Sequence, residues 1–483
     1  MIGLTKMNNL YFFGSGKIGK FWMSCAMSFG IMPKGFIDNN KDICGNLCNN
    51  IMIYSPDDLD SLDFEKIFIT CAKEQEIYQQ LIVLGISENK IVIGYHNILN
   101  HLLYYTAINI KVVEVVGDFD DRPIHKKVLL DLQNGLVLGG VESWVYDLAK
   151  WLNEKDYKGL YFTTDIGDAV TSDVIYPVCM LEYQNILKEK DKIEICVQKI
   201  MENLPCTIIC NFPQYTFWSA CIVKQLYPDC IKIIAVQHSD DPVYYEAYSL
   251  WQEFVDQYMV ISSRMKQKIL LCGITEEKIT YLKWQIFCKE NLYRIWSEEK
   301  KDLQIGYAGR VTTVSKRVDL LVDLASRLQK RNIGFQINIA GIGDYGETLQ
   351  QRIQDNNLQK YISLKGYINR KDIPDFWNKQ DIMINCSELE GHSLSQSEAM
   401  AEGAVPVITD VSGARDDVTD GYNGYIVDIG DIDAMADRIC ELYHNRDKLK
   451  QMGIRAHSTI YERQKNIDQA EFWDDLIKKV WQE

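Results

Sequence analysis

The feature that most limits how this chain can fold is an alternation of short apolar runs with amphipathic stretches, sustained over almost its whole length. Runs such as Cys206 to Cys210 and Val405 to Thr409 have the length of buried strands, and the stretches between them carry helical periodicity. That alternation predicts β-α-β units around parallel sheets, an α/β class. The 483 residues also exceed the roughly 250–300 at which one hydrophobic core stops growing, so several cores are expected.

Three blocks emerge. The first has strands at Leu10 to Phe13, ending at Phe36-Ile37-Asp38, at Lys66 to Thr70 and at Lys90 to Ile93. Gly14, Gly16 and Gly19 follow its first strand and Asp38 ends the second, the order of a dinucleotide fingerprint. A nucleotide-shaped pocket is implied there. Residues 104–126 lack a period and include Gly117-Asp118-Phe119-Asp120-Asp121-Arg122-Pro123, which reads as a linker.

The second block has strands at Lys127 to Gln133, Gly159 to Thr163, Cys206 to Cys210, Ile231 to Val236 and Gln257 to Ile261. A glycine-containing loop covers Asn134 to Gly140 and a helix Val141 to Leu152. The third alternates most regularly, with strands at Leu303 to Ala308, Gly334 to Ala340, Ile362 to Gly366, Asp381 to Cys386 and Val405 to Thr409. A tail from Arg463 carries a stripe of Phe472, Trp473, Leu476, Ile477, Val480 and Trp481 that must dock. The expected domains are 1–105, 127–300 and 301–460, with a linker at 106–126 and a helix at 461–483 docking across the last two.

An excess of 67 acidic residues over 52 Lys and Arg, a formal charge of −15, argues against nucleic acid or an anionic membrane as general partners. No apolar run approaches the ~18 residues of a bilayer span, and Gly14, Gly16, Lys17 and Lys20 interrupt the N-terminal one, so neither a signal peptide nor a span is expected. The 14 cysteines are scattered through apolar segments, as suits a reducing cytoplasm. Cys44 with Cys48 and Cys206 with Cys210 have three intervening residues rather than the two of zinc knuckles, so core packing is expected there and no metal site.

In the third block the strand Asp381 to Cys386 runs into a segment holding Glu390 and Glu398. Eight residues apart on one helix they would be rotated by about 80° and share no face, so a loop followed by a helix start is the natural reading. Gly391, His392, Ser393, Leu394 and Ser395 would then present free backbone N–H groups, an anion site. Taken alone, Ser395-x-x-Glu398 reads as a capping box. Arg310 and Lys316 follow the block's first strand, and ligands of open α/β sheets bind at strand C-terminal ends; both cations and the loop could converge on one diphosphate.

These residues resemble the retaining GT-B glycosyltransferases of family four. The likeness runs through Gly309-Arg310 and Lys316, Gly341-Ile342-Gly343, Gly366-Tyr367, Glu390 and Glu398, Glu398 to Val407, and Asp420 to Gly424, with Gly139-Gly140-Val141-Glu142 and His238 in the second block. It covers roughly residues 127–460. It implies two Rossmann-like domains, an acceptor domain before a donor domain; separately, Phe36-Ile37-Asp38-Asn39 and Ser55-Pro56-Asp57-Asp58-Leu59 resemble the small Rossmann-like domain appended to some sugar-modifying acyltransferases and glycosyltransferases. By the family-four resemblance Arg310 and Lys316 grip the diphosphate, Glu398 the ribose hydroxyls and Glu390 the donor sugar. Gly139 and Gly140 let backbone approach the phosphates, His238 faces the transferred sugar, and Tyr367 adjoins the base.

The chain departs from the family pattern at four places: one extra residue between Arg310 and Lys316, His392-Ser393 for the usual aromatic and Gly or Pro, Asp416 for Glu, and Leu282-Lys283-Trp284-Gln285 for a Pro-Asn-Gly turn. The expected function is transfer of a sugar from a nucleotide diphosphate sugar, a UDP-sugar, to a hydroxyl of a glycan, lipid-linked or free, in surface polysaccharide assembly. Neither metal nor other cofactor is expected. A sugar-nucleotide isomerase and a non-catalytic nucleotide-sugar scaffold are the alternatives. For the first block, a NAD-like ligand is the minor expectation and a structural or partner-docking role the main one; residues 127–483 are expected to fold and bind donor without residues 1–110. The setting would be cytoplasmic, including the inner membrane face.

Overall fold

The computed structural model describes residues 9–482, except 109–125, 133–134, 137–138, 166–173, 184–187, 300 and 466. The expected linker at 106–126 lies mostly outside the described residues. Three sheets follow one another along the chain. The first holds β1 (Leu10–Phe13), β2 (Gly35–Ile37), β3 (Leu47–Cys48), β4 (Ile51–Tyr54), β5 (Lys66–Ile69) and β6 (Ile91–Val92), in the order β3-β4-β2-β1-β5-β6. Its one antiparallel pair is β3 with β4.

The second holds β7 (Lys127–Leu132), β8 (Lys158–Thr163), β9 (Val178–Met180), β10 (Cys206–Cys210), β11 (Ile231–Gln237), β12 (Gln257–Val260) and β13 (Ile279–Tyr281), ordered β13-β12-β11-β10-β7-β8-β9. The third holds β14 (Leu303–Ala308), β15 (Phe335–Ala340), β16 (Ile362–Gly366), β17 (Ile382–Asn385), β18 (Val405–Thr409) and β19 (Tyr425–Val427), ordered β16-β15-β14-β17-β18-β19. Both are parallel throughout. Every residue of β10 and β18 is buried, as helices on both faces require. In each sheet the order reverses at the unit's first strand, which sets a crevice at the C-terminal ends of β1, β7 and β14.

The third sheet has its own core, whereas the first and second share one continuous apolar cluster. The helix Tyr95–Ile108 joins them, packing on the helices Tyr215–Leu226 and Pro242–Leu250. At its centre the buried Asn100 Oδ1 accepts hydrogen bonds from Trp218 Nε1 and Trp251 Nε1, both at 2.8 Å. Tyr104 and Trp251 pack edge to face, and Tyr104 donates to Glu253 at 2.9 Å. The expectation that residues 1–110 can be removed is therefore corrected: their loss would bare two fully buried tryptophans and leave both indole N–H groups without acceptors.

Asn100→Leu should lower the stability of the intact chain by about 2–4 kcal/mol, since a buried N–H left unpaired costs about 1–3 kcal/mol and two are orphaned. Denaturant unfolding followed by tryptophan emission reads this directly. A loss below about 0.5 kcal/mol would mean that the indoles find other acceptors.

After the helix Arg446–Gln464, whose Leu449 and Met452 belong to the third core, the chain crosses back. The helix Gln469–Gln482 lies along the helix Gly140–Glu154, with Trp473 against Trp144 at 5.7 Å between ring centroids and Trp481 Nε1 donating to Thr207 Oγ1 at 2.8 Å. The apolar stripe is thus buried against the second unit rather than across the last two. No helix among the described residues is long and apolar enough to cross a membrane, and all 14 cysteines are unpaired.

Candidate active site

The loops after β14, β15 and β16 lie side by side at the crevice of the third sheet. Gly309 N–H donates to Ala340 O at 3.0 Å, Val311 N–H to Ile342 O at 2.9 Å and Gly341 N–H to Gly366 O at 2.8 Å. Gly341 has φ 140°, and a Cβ there would run into the Gly309 carbonyl, so glycine is what lets these loops touch. Arg310 is exposed at the lip; among the described residues its guanidinium has no ion-pair partner. Tyr367 follows Gly366 and is also exposed.

Lys316 lies between two residues in the left-handed region, Ser315 at φ 64° and Arg317 at φ 49°. Both are non-glycine residues and bear the strain of that region. The turn is pinned by Glu388 N–H donating to Ser315 O at 2.9 Å. It brings the Lys316 ammonium into an ion pair with Glu390, whose carboxylate also accepts from Ser387 Oγ at 2.9 Å. Burial pushes the Glu390 carboxyl up, but Lys316, Ser387 and Asn385 outweigh it and hold it below the usual range.

The helix Leu394–Ala401 starts just beyond. Its N-cap is Ser393, accepting from Gln396 N–H at 3.4 Å, so the capping box read at Ser395 is corrected: Ser395 Oγ instead donates to Ala308 O at 2.7 Å. Among the described residues, the backbone N–H groups of Gly391, His392, Ser393 and Leu394 have no acceptor. Four donors at a helix N-terminus form an anion-binding surface. Glu398, half-buried on this helix, is raised to about 7 by burial, with Arg370 opposing the shift.

The second unit supplies the facing wall. Gly139 is the N-cap of the helix Gly140–Glu154, in extended conformation, and the buried Glu142 folds back over it. Burial pushes the Glu142 carboxyl up, opposed by a backbone hydrogen bond and by the charge of Arg310. His238, at the end of β11, donates from Nε2 to Asn211 Oδ1 at 2.8 Å, because Asn211 Nδ2 is committed to Asp131 O at 2.6 Å. Burial lowers His238 to about 3, so it is neutral, and its Nδ1 lone pair has no partner among the described residues. The rings of Trp144 and Trp284 flank it. A Cβ on Gly391 would run into the His238 carbonyl oxygen, so the two walls meet here.

The structure thus brings Lys316 against Glu390 and Gly391 against His238, and Gly140 adjoins Trp284, which flanks His238; Arg310 lies exposed on the loop after β14, and Gly139 caps the helix that Gly140 opens. Three further contributors had not been singled out. Glu142 was legible beside its glycines; Arg370, bidentate on Asp147 across the two units, and Asp417, buried behind His392, carry no local signal.

In the first unit Gly19 lets its helix approach β1, since a Cβ there would meet the Gly14 carbonyl; Gly14 has φ 108°, and Gly16 faces open space. Asp38 accepts from Ser15 N–H at 2.9 Å, Ser15 Oγ at 2.6 Å and Asn40 N–H at 3.0 Å. Burial raises its carboxyl and these bonds lower it further than that. The acid that would receive ribose hydroxyls is engaged by its own glycine loop. Among the described residues no group of three His, Cys, Asp or Glu side chains is arranged to hold a metal ion. Asp241 caps the helix Pro242–Leu250.

Residues 289–459 match the family described as glycosyl transferases group 1, and residues 6–92 one described as C2185-like, N-terminal. Structures of similar shape include Anabaena HepE in complex with UDP-glucose, with TM-score 0.60 at 20% identity over 73% of this chain and 98% of that one. TarM gives 0.59 at 15% identity over 74% and 99%. The fold is GT-B. The poly(ribitol-phosphate) alpha-N-acetylglucosaminyltransferase of Staphylococcus aureus is 29% identical over 198 residues, 40% of this chain and 39% of that protein. The poly(glycerol-phosphate) alpha-glucosyltransferase of Bacillus subtilis is 35% identical over 108 residues, 22% and 16%. The chain spans less than half the length of these curated relatives.

Proposed function

We propose that this GT-B chain transfers a sugar from a UDP-sugar to a hydroxyl of a glycan, with retention, in the assembly of a cell-surface polymer. The observation that carries the reading is the cleft itself: a lysine–glutamate pair and four unpaired helix-start amides on one wall, facing a neutral histidine with a free lone pair on the other. The match of residues 289–459 to glycosyl transferases supports it, as do relatives named for transfer onto poly(ribitol phosphate) and poly(glycerol phosphate).

In this reading Arg310, Lys316 and the amides of Gly391 to Leu394 hold the diphosphate, Glu398 accepts two ribose hydroxyls and Tyr367 borders the base. Gly139 and Gly140 bring backbone to the phosphates, and Glu390 and the His238 lone pair orient the sugar. The C1–oxygen bond to the diphosphate breaks, the acceptor oxygen bonds to C1, and the hydroxyl proton ends on the released diphosphate. Fixed cations and amides, rather than a metal, meet the negative charge that develops on the leaving group. Incubation with UDP-glucose, UDP-N-acetylglucosamine or GDP-mannose, with and without poly(ribitol phosphate) or a lipid-linked glycan, tests this through nucleoside diphosphate release. Release that needs the acceptor is expected. Conversion of the sugar nucleotide without acceptor would mean an isomerase, and tight binding without turnover a scaffold.

The ribose role carries a pH signature. Glu398 ionises at about 7 in the ligand-free cleft and must be ionised to accept two hydroxyls. Below that pH a proton has to leave before the ligand binds, so affinity is lost at up to tenfold per pH unit. The Kd of UDP-glucose, whose diphosphate has no ionisation in this range, should rise about tenfold from pH 8 to pH 6, and Glu398→Gln should abolish that slope. A flat profile in the unaltered protein would remove Glu398 from the ribose site.

A further inference from the structure

Behind the 391–394 loop lies a buried cluster that the proposed chemistry does not use. The Asp417 carboxylate, wholly buried, takes an ion pair from Arg463, another from Lys283 at 3.1 Å, and a contact with His392 Nε2 at 3.2 Å. Burial pushes Asp417 up, but His392, Arg463 and Lys283 together hold it well below the usual carboxylate range. His392 Nε2 also meets Ser397 Oγ at 2.9 Å, one turn into the helix.

The partners come from different parts of the chain. Lys283 lies on the crossover from second unit to third, and Arg463 just before the return crossover, where it also donates to Trp284 O at 2.9 Å. The same 410–417 segment meets the second unit directly. Asp410 pairs with Arg264 at 2.9 Å, Ser412 Oγ lies 2.9 Å from Ser262 Oγ, and Asp416 accepts from Ser263 N–H at 2.8 Å and Tyr281 OH at 3.0 Å. One carboxylate therefore ties both crossovers to the imidazole inside the 391–394 loop.

We infer that Asp417 is a positioning residue that holds the loop through His392, so that its amides face the terminal phosphate of the nucleotide only while the two units are seated on each other. This rests on the proposed donor site and extends it: Asp417 and His392 set phosphate recognition without touching the nucleotide through their side chains. Positions 392 and 416, which depart from the family pattern, adjoin this relay. A phenylalanine at 392 could not donate to a buried carboxylate.

The consequence is selective for the β-phosphate. In His392→Phe the ion cluster of Asp417 with Arg463 and Lys283 stays whole, as does its contact with Ser397 on the following helix at 3.3 Å, while its link to the loop residue 392 is cut. UDP affinity should fall at least about tenfold, the scale of one charge-assisted hydrogen bond, while UMP affinity stays within about twofold. His392→Gln, whose amide can donate to Asp417, should recover most of the loss. Asp417→Asn should show the same UDP-selective loss; because it leaves two buried cations undercompensated and risks misfolding, the His392 pair is the decisive measurement. Calorimetry of UDP and UMP with the full chain at pH 8 gives both numbers. Equal losses for UDP and UMP, or none, in a folded His392→Phe protein would overturn the relay and leave the proposed function standing. An unaltered protein that binds none of UDP, GDP or ADP would overturn the proposed function and the relay with it.

Discussion

Lys316→Ala is expected to lower kcat/KM by at least about thirtyfold, corresponding to roughly 2–5 kcal/mol of lost transition-state stabilisation. The ammonium sits where β14 ends, in an ion pair with Glu390 and held there by the left-handed turn at Ser315 and Arg317. One of its three N–H groups serves Glu390 and the others remain for a phosphate. Removing it takes a cation from the leaving group and also leaves the Glu390 carboxylate, only 12% exposed, as a repulsive neighbour. Arg310→Ala should act in the same direction through loss of a bidentate donor. Glu390→Ala should depress turnover more than UDP affinity, since its role is with the sugar. With fixed cations in this role, activity should survive excess EDTA. Full activity of the Lys316 and Arg310 variants would refute the clamp, and loss of activity in EDTA with rescue by magnesium or manganese would show that a metal shares the task.

The central strands around the cleft were legible because they are largely buried on both faces and read as apolar runs, as in β10 and β18. Short strands were not: β9, β13 and β19 span three residues each, too few to show a period, and the β3–β4 hairpin is built from strands of two and four residues. That Arg310, Lys316 and the loop after Glu390 would share one crevice followed from sheet logic alone, since β14 neighbours β17 and both release their loops at the same end. The pairing of Lys316 with Glu390, 74 residues apart, needed the structure.

Illegible features were those made by the chain returning on itself. Asn100 meets tryptophans 118 and 151 residues further on, so nothing near it announced that the first unit is welded to the second. Asp417 meets Lys283 and Arg463 from opposite ends of the third unit. The cap at Ser393 rather than Ser395 was decided by Ala308, which takes the Ser395 hydroxyl from another strand end. In each case a tertiary partner, absent from any local window, chose between readings that local chemistry left equal.

Gly391→Ala should cost at least about a hundredfold in turnover with donor and acceptor present, against about tenfold in UDP affinity, the share that depends on the two units being seated. The residue does not occupy the left-handed region, so alanine is acceptable to its own backbone. What alanine meets is the His238 carbonyl oxygen on the facing wall, which is main chain and cannot turn aside as a side chain would. Relieving that overlap requires the walls to part by about 1 Å, and a misplacement of that size is enough to lose about a hundredfold in rate. The cations and the 391–394 amides assigned to the diphosphate lie on the third unit and move together, whereas His238 and the backbone of Gly139 and Gly140 lie on the second. The variant therefore separates holding the nucleotide from assembling the complete site. A rate within about threefold of the parent would mean that turnover tolerates the gap and that His238 does not act on the sugar; a parallel hundredfold collapse of UDP binding would mean that the nucleotide is held mainly across both units rather than by the third.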